Sequence, residues 1–197
     1  MAADEMSKAY PDFVLRGHEQ SVNCLLFLKD DSAIDGNVLC SGSTDGQIKV
    51  WNLSSRRSIA SFKGHSNSVL SVFNIPSKPH QFASSGKDGH VHLWDINRID
   101  STSSVPIISL RNQSTHFCNS STEKSLHNHA CPNLIVTPAA DASTVLVWDI
   151  RTPSAPVVTL STASASDGGM NKTRKTVSII YPSLFTLSLL FINRNNR

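Results

Sequence analysis

The chain has 197 residues, of which 39% are hydrophobic and 17% charged, with a formal net charge of +3. That length bounds it to one or two ordinary domains. The positive balance lies entirely in residues 171–197, which hold five Lys/Arg and no acid, whereas residues 1–170 hold 13 Lys/Arg against 15 Asp/Glu; overall charge therefore gives no ground for a nucleic-acid-binding surface, and none is expected.

Residues 1–12 are polar and read as a disordered start. The opening MAADEMSKAYPDF lacks the apolar core of a secretory signal. The four cysteines (Cys24, Cys40, Cys118 and Cys131) are then expected to be reduced, in the cytoplasm or nucleus. Cys24 and Cys40 fall on predicted strands, where a thiol packs as a small hydrophobe.

A first unit over 13–63 has strands expected near 22–28, 38–43, 47–53 and 57–62. Asp45-Gly46 sits between two of these runs, a hairpin signal because such turns need residues that tolerate positive φ. A second unit over 64–110 has strands expected near 69–74, 81–86, 90–95 and 106–110, and its Asp88-Gly89 repeats the turn. A third unit over 111–160 has strands expected near 116–119, 133–137, 144–150 and 156–160. Its turn, at Asp141-Ala142, is one residue longer before Trp148.

The units are copies of one another. Residues 38–53 read VLCSGSTDGQIKVWNL, 81–96 read QFASSGKDGHVHLWDI and 134–150 read LIVTPAADASTVLVWDI. Trp51 and Trp94 are 43 residues apart, and Gly17-His18 and Gly64-His65 are 47 apart. From Trp94 to Trp148 is 54 residues, so the third copy carries an insertion. A repeat of this length decides architecture, because each unit buries its apolar faces only against a neighbour.

The Gly-His start and the Trp-Asp end (Trp94-Asp95, Trp148-Asp149, with Trp51-Asn52 in the first copy) resemble the WD-repeat family of β-propellers. The resemblance covers about residues 13–160. It implies an all-β fold of about three four-stranded blades, taken from an incomplete ring of seven. In many propellers the first strand completes the last blade, and Phe13-Val14-Leu15 is the candidate for that strand.

In this family one His, one Ser or Thr, one Asp and one Trp of a blade form a buried hydrogen-bonded set. These residue types can be chained together, because an indole only donates, an ionised Asp only accepts, and a hydroxyl and an imidazole relay. Carried over by position, blade one supplies His18, Ser41, Asp45 and Trp51, and blade two supplies His65, Ser84, Asp88 and Trp94. Blade three supplies Thr137, Asp141 and Trp148, with His116 as a fourth candidate that no Gly precedes. A repeated, buried set cannot present a nucleophile to substrate, so no catalytic residue and no enzyme activity is expected. Removing Asp45 is expected to cost about 1–3 kcal/mol by leaving buried donors unpaired.

His116, Cys118, His127, His129 and Cys131 are metal-ligating types, but their spacing departs from structural zinc sites and the segment reads as an insertion loop. His90 and His92 read as solvent-facing. No metal or cofactor is expected; no phosphate-cradling loop or nucleophile elbow is present in the sequence.

The order Leu-Arg-Gly-His, then Lys-Asp-Gly with Leu-Trp-Asp, then His116-Phe117-Cys118, then Val-Trp-Asp before Gly169-Met170, is similar to the G-protein-β-subunit-like protein one family, which includes the fungal ASTRA-associated protein and the plant protein called decreased size exclusion limit one. That resemblance implies a scaffold in kinase-maturation and chromatin-linked assemblies. A second resemblance rests on Trp148-Asp149-Ile150-Arg151, similar to the Trp-Asp-x-Arg box of cullin-RING substrate receptors, and it makes Arg151 a candidate partner-binding residue. Partners are expected to be other proteins, through the loops 29–37, 74–80 and 119–132.

Residues 161–197 fall outside the repeat. Four readings stand for 171–197: translated out-of-frame or intron sequence, the degenerate start of a fourth blade, a membrane anchor, or a basic interaction tail. The apolar run 177–192 is interrupted by Pro182 and is 16 residues long, against the roughly 20 a spanning helix needs, so no membrane partner is expected. Three blades alone are expected to be marginal and to associate through unpaired edges.

Overall fold

The structure is a computed structural model that describes residues 11–28, 38–76, 78–99, 104–114, 120–122, 133–141, 143–161, 176–180 and 186–190. Its first unit, residues 1–162, holds three antiparallel four-stranded sheets. Blade one is β1 (Val22–Leu28), β2 (Val38–Ser43), β3 (Gln47–Asn52) and β4 (Arg57–Lys63), hydrogen-bonded in that order. Blade two is β5 (Val69–Ile75), β6 (Lys78–Gly86), β7 (His90–Asp95) and β8 (Ile108–Arg111). Blade three is β9 (Ser121–Thr122), β10 (Leu134–Pro138), β11 (Thr144–Asp149) and β12 (Val158–Ser161). A second unit, 163–197, carries the antiparallel pair β13 (Thr176–Ile180) and β14 (Thr186–Leu190).

Period-two alternation explains how the sheets stack. In β3, Ile48 and Val50 point to one face while Lys49 and Trp51 point to the other. The Ile48 face, with Leu28, Val38 and Cys40, buries against Val69, Val72, Phe82 and Trp94 of blade two. The opposite face of blade two, with Phe73, Ala83, Val91 and Leu93, buries against Ile135, Trp148 and Ile150. Each fully buried aliphatic or aromatic chain contributes about 1.5–3 kcal/mol, so these two seams hold the blades in order.

The turns are built as their residues require. Gly46 has φ +83° and Gly89 has φ +77°, which an L side chain rarely adopts. Asp45 Oδ1 accepts from Gln47 N at 3.0 Å, and Asp88 Oδ1 accepts from His90 N at 3.2 Å. These are Asx turns that close each hairpin. In blade three Asp141 Oδ2 accepts instead from Thr144 Oγ1 at 2.9 Å, with Ala139 N donating to Thr144 O.

Three expectations change. The segment 74–80 is not an exposed loop: β5 runs to Ile75 and β6 starts at Lys78, with Ile75 paired to Lys78 and a bulge beside Asn74. Phe13–Leu15 forms no strand; Phe13 lies under the Arg56 guanidinium, 4.9 Å from its carbon to the ring centre. The short strand paired with β10 is Ser121–Thr122, inside the stretch read as an insertion loop, while 116–119 lies outside the described residues. Loop 29–37 and most of 119–132 also lie outside them.

Candidate functional site

The best-formed polar site lies at the Asp88 turn of blade two. Gly64 opens the link from β4 to β5, and His65, next in that link, lies against blade two. There His65 Nδ1 lies 3.0 Å and 3.2 Å from the two Asp88 carboxylate oxygens, and Nε2 lies 2.7 Å from Ser84 Oγ. Trp94 Nε1 donates to Ser84 Oγ at 2.8 Å. The chemistry assigns direction: an ionised Asp88 takes the Nδ1 proton, Nε2 is left as acceptor, and the Ser84 hydroxyl donates to it. Asp88 also accepts from Ser66 N at 2.9 Å and Ser66 Oγ at 3.3 Å. Burial works against its charge, yet the hydrogen bond from His65, joined by those from the Ser66 and His90 amides, outweighs burial and holds the carboxyl well below its ordinary range.

Blade one builds a shorter chain. His18 Nε2 lies 2.7 Å from Ser41 Oγ, and Trp51 Nε1 donates to Ser41 Oγ at 2.8 Å. Here the link to the carboxylate is missing: His18 Nδ1 is buried with no hydrogen-bond partner, and Asp45 accepts from the Gln47 amide instead. Asp45 therefore does not join His18, Ser41 and Trp51, which revises the cost expected for its loss. Burial, followed by the charge of Lys49, lowers the His18 pKa.

In blade three Trp148 Nε1 donates to Thr137 Oγ1 at 3.0 Å, and both side chains are buried. Asp141 is exposed on its turn and bonds Thr144, away from that pair. His116, Cys118, His127, His129 and Cys131 lie outside the described residues.

His92 is not solvent-facing as expected, whereas the His90 side chain is 37% exposed. His92 packs 4.7 Å from the His65 ring and 5.6 Å from the Trp94 ring, and it stacks on His90 at 5.7 Å. Its buried Nδ1 has no hydrogen-bond partner. Burial, reinforced by the neighbouring His65, lowers its pKa to about 4. The alternation of His90 and His92 on β7 was readable in sequence, but the His65 ring that covers His92 comes from the link before β5. Together with Lys63 and Ser66 these groups line an open cavity of about 520 Å³.

Among the described residues His65, Asp88 and His92 bring ligand-type atoms within 4.8 Å of one another. His65 already spends both nitrogens on Asp88 and Ser84, so a metal would have to break that chain. No nucleophile is poised among the described residues. Ser84 and Ser41 are buried and held on both sides, and burial pushes the Cys24 thiol up to about 11 and the Cys40 thiol higher still.

At the Trp-Asp ends the carboxylate organises the turn that follows. Asp149 Oδ1 accepts from Arg151 N at 2.9 Å, and the Arg151 Nε and Nη2 grip the carboxylate at 3.0 Å and 2.5 Å. That guanidinium lowers the Asp149 pKa. The Arg151 side chain remains 70% exposed. Asp95 likewise holds Asn97 N at 3.0 Å in the 3₁₀ turn Ile96–Arg98, and Asn52 Oδ1 holds Ser55 N at 2.9 Å.

Residues 10–52 and 56–95 match the family model described as WD domain, G-beta repeat. The chain is 35% identical over 86 residues to mouse guanine nucleotide-binding protein subunit beta-like protein 1, a stretch that is 44% of this chain and 26% of that protein. It is 32% identical over 86 residues to ASTRA-associated protein 1 of Meyerozyma guilliermondii, covering 44% of this chain and 18% of that one. Both matches thus span well under half of the relatives' length. Among solved structures, the computationally designed Ika8 protein is similar at a TM-score of 0.52 and 27% identity, over 74% of this chain and 38% of that one.

Proposed function

Since the chain is a WD40-repeat protein, we propose that it is a non-catalytic scaffold that binds other proteins through the turns and loops carried on its blades. The observation that carries this reading is the state of Ser84. Its hydroxyl is fully buried between the His65 ring and the Trp94 indole, so the set that looks most like catalytic machinery is committed to holding the sheet. What remains for recognition is the surface presented by a rigid frame.

The finer reading places the scaffold in kinase-maturation or chromatin-linked assemblies of the cytoplasm or nucleus. It is supported by 32% identity to a protein named for its association with ASTRA. A second reading is favoured by Arg151: an exposed guanidinium fixed in direction by the buried Asp149 is suited to reach a partner, as a cullin-RING substrate receptor would require.

Affinity capture of the tagged full chain, followed by mass spectrometry, separates the two. Enrichment of kinase-maturation subunits, unchanged by Arg151→Ala, supports the first. Enrichment of a cullin-ligase adaptor that Arg151→Ala abolishes supports the second and overturns the first. Turnover of a hydrolase substrate that Ser84→Ala eliminates would overturn the non-catalytic reading.

A further inference from the structure

The Asp88 turn of blade two carries a group that the other blades lack. By register His92 of β7 stands opposite Ser84, where blade one sets Lys49 opposite Ser41 and blade three sets Leu146 opposite Thr137. An imidazole can ligate a metal; a lysine ammonium and a leucine cannot. Among the described residues, blade two alone also joins its histidine to a carboxylate, with His65 Nδ1 3.0 Å and 3.2 Å from the Asp88 oxygens. His65, Asp88 and His92 each bring one ligand-type atom to within 4.8 Å of the others, and all three line the open cavity of about 520 Å³.

The spacing suits a small tetrahedral cation. Nitrogen and oxygen ligands about 2.0–2.1 Å from zinc lie about 3.3 Å from each other. His65 Nδ1 and Asp88 Oδ2, 3.2 Å apart, already stand at that separation. The His92 ligand atom has at most about 1.5 Å further to come, which a turn of its ring supplies. Its buried Nδ1 has no hydrogen-bond partner, so no bond is lost at that nitrogen. A buried polar atom left unpaired is the kind of group that an ion satisfies.

The ion would take the place of one proton. A His65 that gives Nδ1 to a metal carries its proton on Nε2 and donates it to Ser84 Oγ. That 2.7 Å contact survives with its direction reversed, and Ser84 Oγ still accepts from the Trp94 indole. Asp88 keeps the amides of Ser66 and His90. The costs are the His65–Asp88 hydrogen bond and the acceptor of the Ser84 proton. The gain is two imidazoles and a carboxylate on one divalent ion.

We infer that His65, Asp88 and His92 bind a divalent transition-metal ion of the zinc class. Two imidazoles and a carboxylate suit zinc, copper or nickel, whereas magnesium and calcium favour all-oxygen sets. Three protein ligands leave one tetrahedral position for water. Lys63 also lines the cavity, but it is exposed, so salt and solvent screen its charge.

Equilibrium dialysis of the full 197-residue chain against zinc chloride at neutral pH tests this. The thermal midpoint by circular dichroism, with and without zinc, reports the same binding. A bound zinc that raises the midpoint is expected, and magnesium in its place should do neither. His92→Lys gives blade two the residue type that blade one holds there, so the sheets should persist while zinc affinity falls at least about tenfold. If His92→Lys loses its strand signal, His92→Gln, which adds no charge, takes its place. A second group of ligand types, His116, Cys118, His127, His129 and Cys131, lies outside the described residues, and Cys118→Ser with Cys131→Ser should leave the His92-dependent binding unchanged. Absence of zinc binding, binding that the His92 variant leaves intact, or zinc that lowers the midpoint would overturn the inference. Binding lost with the two cysteines would assign the ion to that second group and overturn it equally.

Discussion

His65 Nδ1 sits 3.0 Å from Asp88 Oδ1, while the equivalent nitrogen of His18 reaches no carboxylate. Two blades with the same four residue types are therefore wired differently. The cause lies in the neighbourhood: the link from β4 lays His65 against the Asp88 turn, whereas His18 comes from a segment that pairs with no strand.

The two aspartates should separate in stability. Asp88→Ala removes the acceptor for the buried His65 and for the Ser66 and His90 amides, at an expected cost of about 2–3 kcal/mol. Asp45→Ala removes chiefly a turn bond to Gln47 and is expected to cost about 1 kcal/mol or less. Urea denaturation of both variants checks this; equal costs would show that the blades are wired alike.

Stability should fall with acid in two stages. His92 has its pKa lowered to about 4 from 6.5, mainly by burial, so the unfolded chain binds the proton more readily than the folded one. The stabilisation of the neutral ring is present above pH 6.5 and is lost as pH falls to about 4. His18 is shifted in the same direction. Asp88, held below its ordinary 3.8, adds a second loss as pH drops below that value. The urea midpoint should therefore decline from pH 7 to 4, and His92→Gln should flatten that slope. An unchanged slope in the variant would assign it elsewhere.

The two turn glycines should also differ. A Cβ at Gly46 would lie 2.2 Å from the His65 carbonyl oxygen, and the Gly46 carbonyl accepts from the Gly64 and His65 amides at 3.1 Å each. A Cβ at Gly89 would meet the Gln113 backbone at 3.0 Å. Both alanine variants carry the positive-φ cost of about 1–2 kcal/mol. Gly46→Ala is expected to add at least about 1 kcal/mol more, because it wedges apart the joint between blades. Thermal unfolding that ranks Gly89→Ala as the worse variant would contradict that ordering.

The strands were legible because their signals are local. Alternation around Ile48 and Val50, the Asp-Gly turns and the recurring Trp placed β2, β3, β6 and β7 to within a few residues. What escaped depended on distant contacts. Nothing near His92 in the chain says that His65 will cover it, and nothing near His18 says that its ring will miss Asp45. Pro79 and His80 read as loop, yet pairing of Ile75 with Lys78 draws them into β6. The indole partners Ser41, Ser84 and Thr137 could be named from spacing by resemblance; their distances could not.

Three indoles are spent inside the sheets, where Trp51, Trp94 and Trp148 donate to buried hydroxyls. Hydrogen exchange of the three indole Nε1 protons, followed by nitrogen-15 NMR on the full chain, reads this directly. All three should be protected, with Trp94 slowest because Ser84 and His65 continue its chain to Asp88. Exchange of the Trp94 indole at the rate of an open side chain would leave the Ser84 hydroxyl uncommitted and contradict the structural role assigned to the set.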